Sequence, residues 1–176
     1  MTAAQRPPGP SEDSGPNPTE AAATAGLEGP GEVIERLRDW AKDRLGLSLS
    51  ARQIDAFAWY LDELRRRNAQ QNLTAVVDPL GIAVKHFLDS LTLVPLLGPA
   101  ASGRMVDVGA GAGFPGLPVR IVCSGLRLVL VEATGKKAEF CRSVAEGLAL
   151  KGVDVLHARA EEIGRASCRE RVYGTV

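Results

Sequence analysis

At 176 residues the chain has room for one substantial domain, or for a small domain and part of another. Its 45% hydrophobic and 24% charged residues are an ordinary globular composition, and its 21 basic residues balance 21 acidic ones, so bulk charge does not announce a nucleic-acid binder. No apolar run in the sequence approaches the ~20 residues of a bilayer span and no signal-peptide core opens it, while three scattered cysteines (Cys123, Cys141, Cys168) without a C-x-x-C pair argue against a metal site or disulfide framework and for a reducing cytoplasm.

Residues 1–31 are rich in Pro, Gly, Ala, Ser and Thr, with Leu27 the only large aliphatic after Met1. They cannot bury enough apolar surface to offset the entropy of ordering and are expected to form a disordered tail. Arg6 against Glu12, Asp13, Glu20 and Glu28 gives this tail a net −3 and leaves +3 for the rest. From Glu32 the spacing of Val33, Ile34, Leu37, Trp40, Ala41 and Leu45 predicts a helix ending at Gly46. Ser50-Ala-Arg-Gln53 then reads as a capping box opening a second helix, with Ile54, Phe57, Ala58, Leu61 and Leu64 on its apolar face. Asp78-Pro79 marks a third start, an N-cap followed by proline, and Ile82, Ala83, Phe87, Leu88 and Leu91 supply the core stripe. Residues 32–100 therefore read as a small helical domain.

From Arg104 strand and helix patterns alternate. Strands are expected at 104–108, 127–132 and 153–157, with helices near 115–123 and 135–149. That repeat implies a parallel sheet with right-handed crossovers, an α/β class of fold.

The chemistry concentrates in Asp107-Val-Gly-Ala-Gly-Ala-Gly-Phe-Pro-Gly116. A loop nearly without side chains lets a ligand press against the backbone and take its N–H groups. Glu132, ending the next strand, can hold the two hydroxyls of a ribose. Gly111, Gly113 and Gly116 satisfy the dinucleotide pattern G-x-G-x-x-G, whereas Asp107, Gly109, Gly111 and Gly113 satisfy the D-x-G-x-G-x-G pattern of S-adenosylmethionine enzymes. A carboxylate at Asp107 suits the cationic methionine end of S-adenosylmethionine and would repel a pyrophosphate. A Gly-rich turn without any ligand is the bland alternative.

Five stretches in order carry a resemblance: Gln71-Asn-Leu-Thr-Ala75, Val84-Lys-His-Phe-Leu-Asp-Ser-Leu91, the loop from Asp107 to Pro118, Gly135-Lys-Lys137 and Arg159-Ala-Glu-Glu162. Together they resemble the RsmG (GidB) family of 16S ribosomal RNA guanine-N7 methyltransferases over about 45–162. The resemblance implies a class I, Rossmann-like methyltransferase sheet behind a small helical domain, with S-adenosylmethionine as cofactor and 16S ribosomal RNA or the small subunit as partner. It further implies a cytoplasmic protein, monomeric when full length and with no membrane role. On this chain it marks Gly109, Phe114, Ala160 and Glu161 as cofactor contacts beside Asp107, Gly111, Gly113 and Glu132. Glu132 stands where the family commonly has Asp, and Ala133-Thr134 where it more usually has Ser-Leu.

Methylation at N7 removes no proton before attack, so positioning dominates and no catalytic side chain is named. Asn72, His86, Lys136 and Lys137 are the candidate RNA contacts, each with a structural alternative: a helical-core histidine for His86, a turn former for Asn72. Lysines at a helix N-terminus oppose the dipole, so phosphate is the economical reading for Lys136 and Lys137, whereas Arg65, Arg66 and Arg67 suit a helix C-terminus. Trp40, Phe57, Trp59 and Tyr60 are expected to be core or surface of the helical unit, and Cys141 and His157 to be structural. The rivals are a nicotinamide-dependent oxidoreductase on Gly111, Gly113 and Gly116, and an RNA-binding module with a degenerate cofactor site.

The C-terminus departs from the family. Glu162-Ile-Gly-Arg-Ala-Ser-Cys-Arg-Glu-Arg-Val172 reads, codon by codon, as the translation of a common short-read sequencing adapter. On that reading 163–176 is an artefact, Arg165, Cys168, Arg169 and Arg171 carry no function, and 101–162 is the N-terminal half of the methyltransferase domain. The first strand is then expected to be an exposed hydrophobic edge, and the fragment to be inactive.

Overall fold

The computed structural model describes residues 29–98 and 101–161; the expected tail up to residue 28 and the adapter-like stretch lie outside them. Helix α1, Pro30–Leu45, starts two residues before the expected Glu32, because Pro30 sits at N1 behind an extended Gly29. It ends on Gly46, whose φ of 67° is the left-handed cap that lacks a Cβ penalty. Helix α2, Ala51–Gln71, opens on the predicted capping box, with the Ser50 side chain accepting from Gln53 N and the Gln53 side chain accepting from Ser50 N. Helix α3, Pro79–Leu97, begins at the Asp78 cap, whose Oδ1 accepts from Gly81 N at 2.5 Å.

Two features of α3 depart from the sequence reading. Residues Ala83–Leu88 form a π-helical stretch, a geometry concentrated at functional sites. The helix is also 19 residues long and apolar enough to cross a membrane by length and composition alone, where no such run was expected. Its stripe of Ile82, Ala83, Phe87, Leu88 and Leu91 is buried in the core, as predicted.

The sheet follows in order β1-β2-β3, all parallel: β1 Gly103–Val108, β2 Leu126–Glu132 and β3 Val153–His157. Register pairs Val108 with Val131 and Glu132 with His157, so the carboxyl ends of all three strands open on one side. Helices α4, Gly116–Val122, and α5, Gly135–Gly147, make the crossovers. One core joins both units, running from Ile34 and Leu37 through Phe57, Leu61 and Phe87 to Leu117, Leu130 and Phe140. Among the described residues β1 pairs with β2 alone, and Val106 and Val108 stand 54% and 56% exposed.

Candidate functional site

The glycine loop leaves the carboxyl end of β1 and is bound down backbone by backbone. Gly109 N and Ala110 N both donate to Val131 O, at 2.8 and 3.1 Å, and Gly113 N and Phe114 N both donate to Ala110 O. Gly109, Gly111 and Gly113 have φ of 79°, 58° and 95°, all in the region that favours glycine. Their spaces differ. A Cβ on Gly109 would meet nothing within 4 Å, and one on Gly111 only Gly109 O at 3.9 Å. A Cβ on Gly113 would lie 2.7 Å from the Tyr60 hydroxyl and against Leu117. The first two glycines leave backbone open for a ligand, while the third is required by packing.

Glu132 closes the loop. Its two carboxylate oxygens accept from Gly111 N and Thr134 N, both at 2.7 Å, and the residue is buried. Burial alone would raise its carboxyl, but these N–H groups, the Thr134 side chain and the Lys137 charge hold it below the ordinary glutamate value. The expected ribose acid is therefore also a structural clasp. Each oxygen accepts one backbone N–H and the Thr134 side chain takes a third site, so the carboxylate keeps one acceptor site for a ligand hydroxyl.

Asp107 also has a structural task. Oδ2 of its buried carboxylate accepts from Gly116 N at 2.9 Å, fastening the first residue of α4. Burial pushes its carboxyl above the ordinary value, the Gly116 N–H pulls it back, and the nearby Glu132 charge raises it further. Asp107→Asn keeps an acceptor for Gly116 and removes a buried charge. Its thermal midpoint at pH 7 is expected to equal or exceed that of the unaltered chain, whereas Asp107→Ala loses about 1 kcal/mol with the cap. Equal losses in the two variants would show that the charge itself holds α4.

Phe114, joined to Pro115 by a cis bond, stacks on His86 at 4.5 Å and 18° and on Tyr60 at 5.5 Å and 10°. His86 thus reaches the glycine loop from the π-helical stretch of α3, and its Nε2 lies 2.8 Å from Thr74 Oγ1. Burial holds its pKa below the ordinary value despite the Lys85 carbonyl and Asp89, so the ring is neutral at pH 7. Asn72 is the C-cap of α2 with φ 49°, its N–H on Asn68 O, which is the turn-forming alternative; its side chain remains exposed. The other candidates lie at the sheet. Lys136 is exposed and Lys137 half-buried at the start of α5, and Ala160 and Glu161 are exposed beyond β3, at the strand ends that carry the glycine loop and Glu132. The structure gathers Phe114, His86 and Tyr60 on one side of the loop, and Glu132 and Lys137 on the other.

Two residues acquire places that sequence reasoning missed. Tyr60 is fully buried and its hydroxyl donates to Ala112 O. Cys141, on α5, packs its Sγ 3.5 Å from Gly111 O, and burial beside Glu132 and Asp107 pushes its thiol up to about 12. Tyr60 lies three residues from Phe57 and four from Leu64, a spacing that does put it on the α2 core stripe. Of the arginine run, Arg66 and Arg67 both pair with Glu63, at 2.8 and 2.7 Å, and Arg67 also donates to Ser143 Oγ. Arg65 instead lines a cavity of about 510 Å³ with Asn68, Asn72 and Thr74. His157 Nε2 lies 3.1 Å from Ala133 O, and Cys123 and Cys141 are free and buried.

A loop of this build at the strand ends of a parallel sheet can hold a nucleoside cofactor, and comparison with known proteins gives the family. The family model described as rRNA small subunit methyltransferase G matches residues 53–173. The chain belongs to that family. Among its relatives is the ribosomal RNA small subunit methyltransferase G of Roseiflexus sp. (strain RS-1), 49% identical over 144 residues, covering 82% of this chain and 59% of the relative. The proteins of the same name in Roseiflexus castenholzii and Sorangium cellulosum are 45% and 46% identical, covering 74% and 69% of this chain and 56% and 51% of theirs. The chain thus spans between about half and three-fifths of the length of these relatives. The family match runs on to residue 173, past the Arg159-Ala-Glu-Glu162 stretch. Within the family the three parallel strands and their crossover helices are part of a Rossmann-like methyltransferase sheet, behind the helical unit.

Proposed function

We propose that the protein carrying this chain transfers a methyl group from S-adenosylmethionine to N7 of a guanine in 16S ribosomal RNA, in the cytoplasm. The observation that carries the reading is the loop itself: two open glycines, Gly109 and Gly111, lie at the strand ends beside a buried carboxylate with one acceptor site to spare. The relatives' names support an RNA of the small subunit as substrate.

The residues fit the cofactor. Glu132 would accept from a ribose hydroxyl, the backbone of Gly109 and Gly111 would lie against the ligand, and Ala160 and Glu161 would border it beyond β3. Bound there, S-adenosylmethionine supplies an already activated methyl group. N7 offers a lone pair and no proton, so the protein's task is to hold base and cofactor in line and to exclude water. Lys136 and Lys137 would take RNA phosphates, with His86 and Asn72 approaching the RNA from the helical unit.

A nicotinamide enzyme is disfavoured by a specific contact. Asp107 already occupies Gly116 N, the helix-start N–H that a pyrophosphate would use. An RNA-binding module with a dead cofactor site remains distinct by experiment. With β1 unpaired on its outer side, the described residues build one flank of the crevice, and we expect the 176-residue chain to bind weakly. Amide chemical shifts suit that regime: S-adenosylmethionine should move Gly109, Gly111 and Glu132, and NAD should not. Gly111→Val should abolish the response in a folded chain. Shifts with NAD alone, or none with either, would overturn the cofactor reading; tight stoichiometric binding would overturn the half-built crevice.

A further inference from the structure

The helical unit does more than pack beside the sheet. Tyr60 crosses from α2 into the loop, 52 residues away in sequence, and places its hydroxyl on the carbonyl of Ala112, between Gly111 and Gly113. Its ring is held from several sides: Phe87 at 5.3 Å, Phe114 at 5.5 Å and Phe140 at 6.1 Å. A side chain so confined cannot swing to another partner. The phenol is buried and remains protonated, its pKa raised well above the ordinary value by burial and then by Cys141 and Asp107, so it is a permanent donor. The loop is shaped to receive it, since a Cβ on Gly113 would stand 2.7 Å from the hydroxyl.

We propose that Tyr60 is a positioning residue for the cofactor loop, its hydroxyl fixing the Ala112 carbonyl and its ring, with His86, fixing Phe114. Without the hydroxyl, Ala112 O would be buried without its donor, and the peptide between Ala112 and Gly113 would keep its N–H on Ala110 O but lose the hold on its carbonyl. Glu132 holds Gly111 N from the other side. The loop is therefore gripped at adjacent residues by the two halves of the protein, one grip on a carbonyl and one on an N–H. The inference takes the loop to be the cofactor loop, but its geometry stands without that reading.

The test uses the whole 176-residue chain and two variants. Tyr60→Phe keeps the ring and removes only the hydroxyl; Tyr60→Leu removes both. Hydrogen exchange read amide by amide should be faster at Gly111, Gly113 and Phe114 in Tyr60→Phe, by roughly tenfold, with Leu128 and Leu130 of β2 unchanged. Tyr60→Leu should accelerate exchange across the core as well. The S-adenosylmethionine shifts should need a higher ligand concentration in Tyr60→Phe than in the unaltered chain. Uniform acceleration in Tyr60→Phe would mark a purely structural tyrosine and overturn the proposal, as would an unchanged loop. Absence of cofactor shifts in every protein, with loop exchange still selectively faster, would overturn the cofactor reading and leave the positioning role standing.

Discussion

Gly113→Ala is expected to lower the stability of the chain by about 3 kcal/mol or more, and Gly111→Ala by only about 1 kcal/mol. Both positions have positive φ, 95° and 58°, so an L side chain carries roughly 1–2 kcal/mol of strain at either. The difference lies in what the new methyl meets. At Gly111 it faces open space, whereas at Gly113 it enters the Tyr60 hydroxyl and the fully buried Leu117. Tyr60 cannot retreat from its ring contacts, so the hydrogen bond to Ala112 O is broken, adding about 1–3 kcal/mol for a buried carbonyl left unpaired. For a chain of this size the combined loss lowers the melting midpoint by about 6–12 °C. Circular dichroism melts of both variants would decide it. Equal midpoints would mean that the third glycine is a ligand feature like the others.

Glu132→Gln should cost about 2 kcal/mol near pH 7 and change the pH dependence of stability. The amide keeps one acceptor, so it can serve Gly111 N or Thr134 N but not both, and its NH₂ would face a donor. The folded-state pKa of Glu132 is depressed from an ordinary value of 4.5. Its contribution is therefore present above that value and is lost as the pH falls through the depressed one. Asp107 runs the other way: its raised folded pKa gives a contribution that is full in acid and lost as the pH rises through it. The stability difference between the unaltered chain and Glu132→Gln isolates the first from the second, apart from their mutual repulsion. Denaturant midpoints taken from pH 7 downward should begin to approach one another at about 4.5 and meet only below the depressed value. Parallel curves would show that the charge contributes nothing and that the clasp is a matter of shape.

Much of this arrangement was legible in the residues. Binary pattern located the three strands to within a residue, because each is bounded by glycine, serine or a charged turn, and side-chain caps at Ser50 and Asp78 announced two helices through a local mechanism. The loop and Glu132 were equally visible. What could not be read was direction. Asp107 fastens Gly116, nine residues on, through Oδ2, an anchoring contact that its place at the strand end does not announce. Glu132 reaches Gly111 across 21 residues, a contact that no local spacing encodes. Tyr60 sat on a predictable core stripe, but its hydroxyl acquired a purpose only when the sheet came to meet α2. Residues 1–28 of the expected tail 1–31, and the adapter-like stretch from 162 on, lie outside the described residues, while Pro30 and Gly31 open α1.

The π-helical stretch of α3 has a consequence for how this site tolerates change. A wider turn at Ala83–Leu88 shifts the angular phase of everything after it relative to an ordinary helix. Ile82 before the stretch and Leu91 and Val94 after it all reach the core, while His86 is presented to Phe114. Residue count therefore does here what residue type does elsewhere. A one-residue deletion within 83–88 could relax the segment to regular α geometry with every apolar position still available. The histidine would then be carried around the helix axis, away from the aromatic ring. Length, as much as composition, is a coordinate of this site.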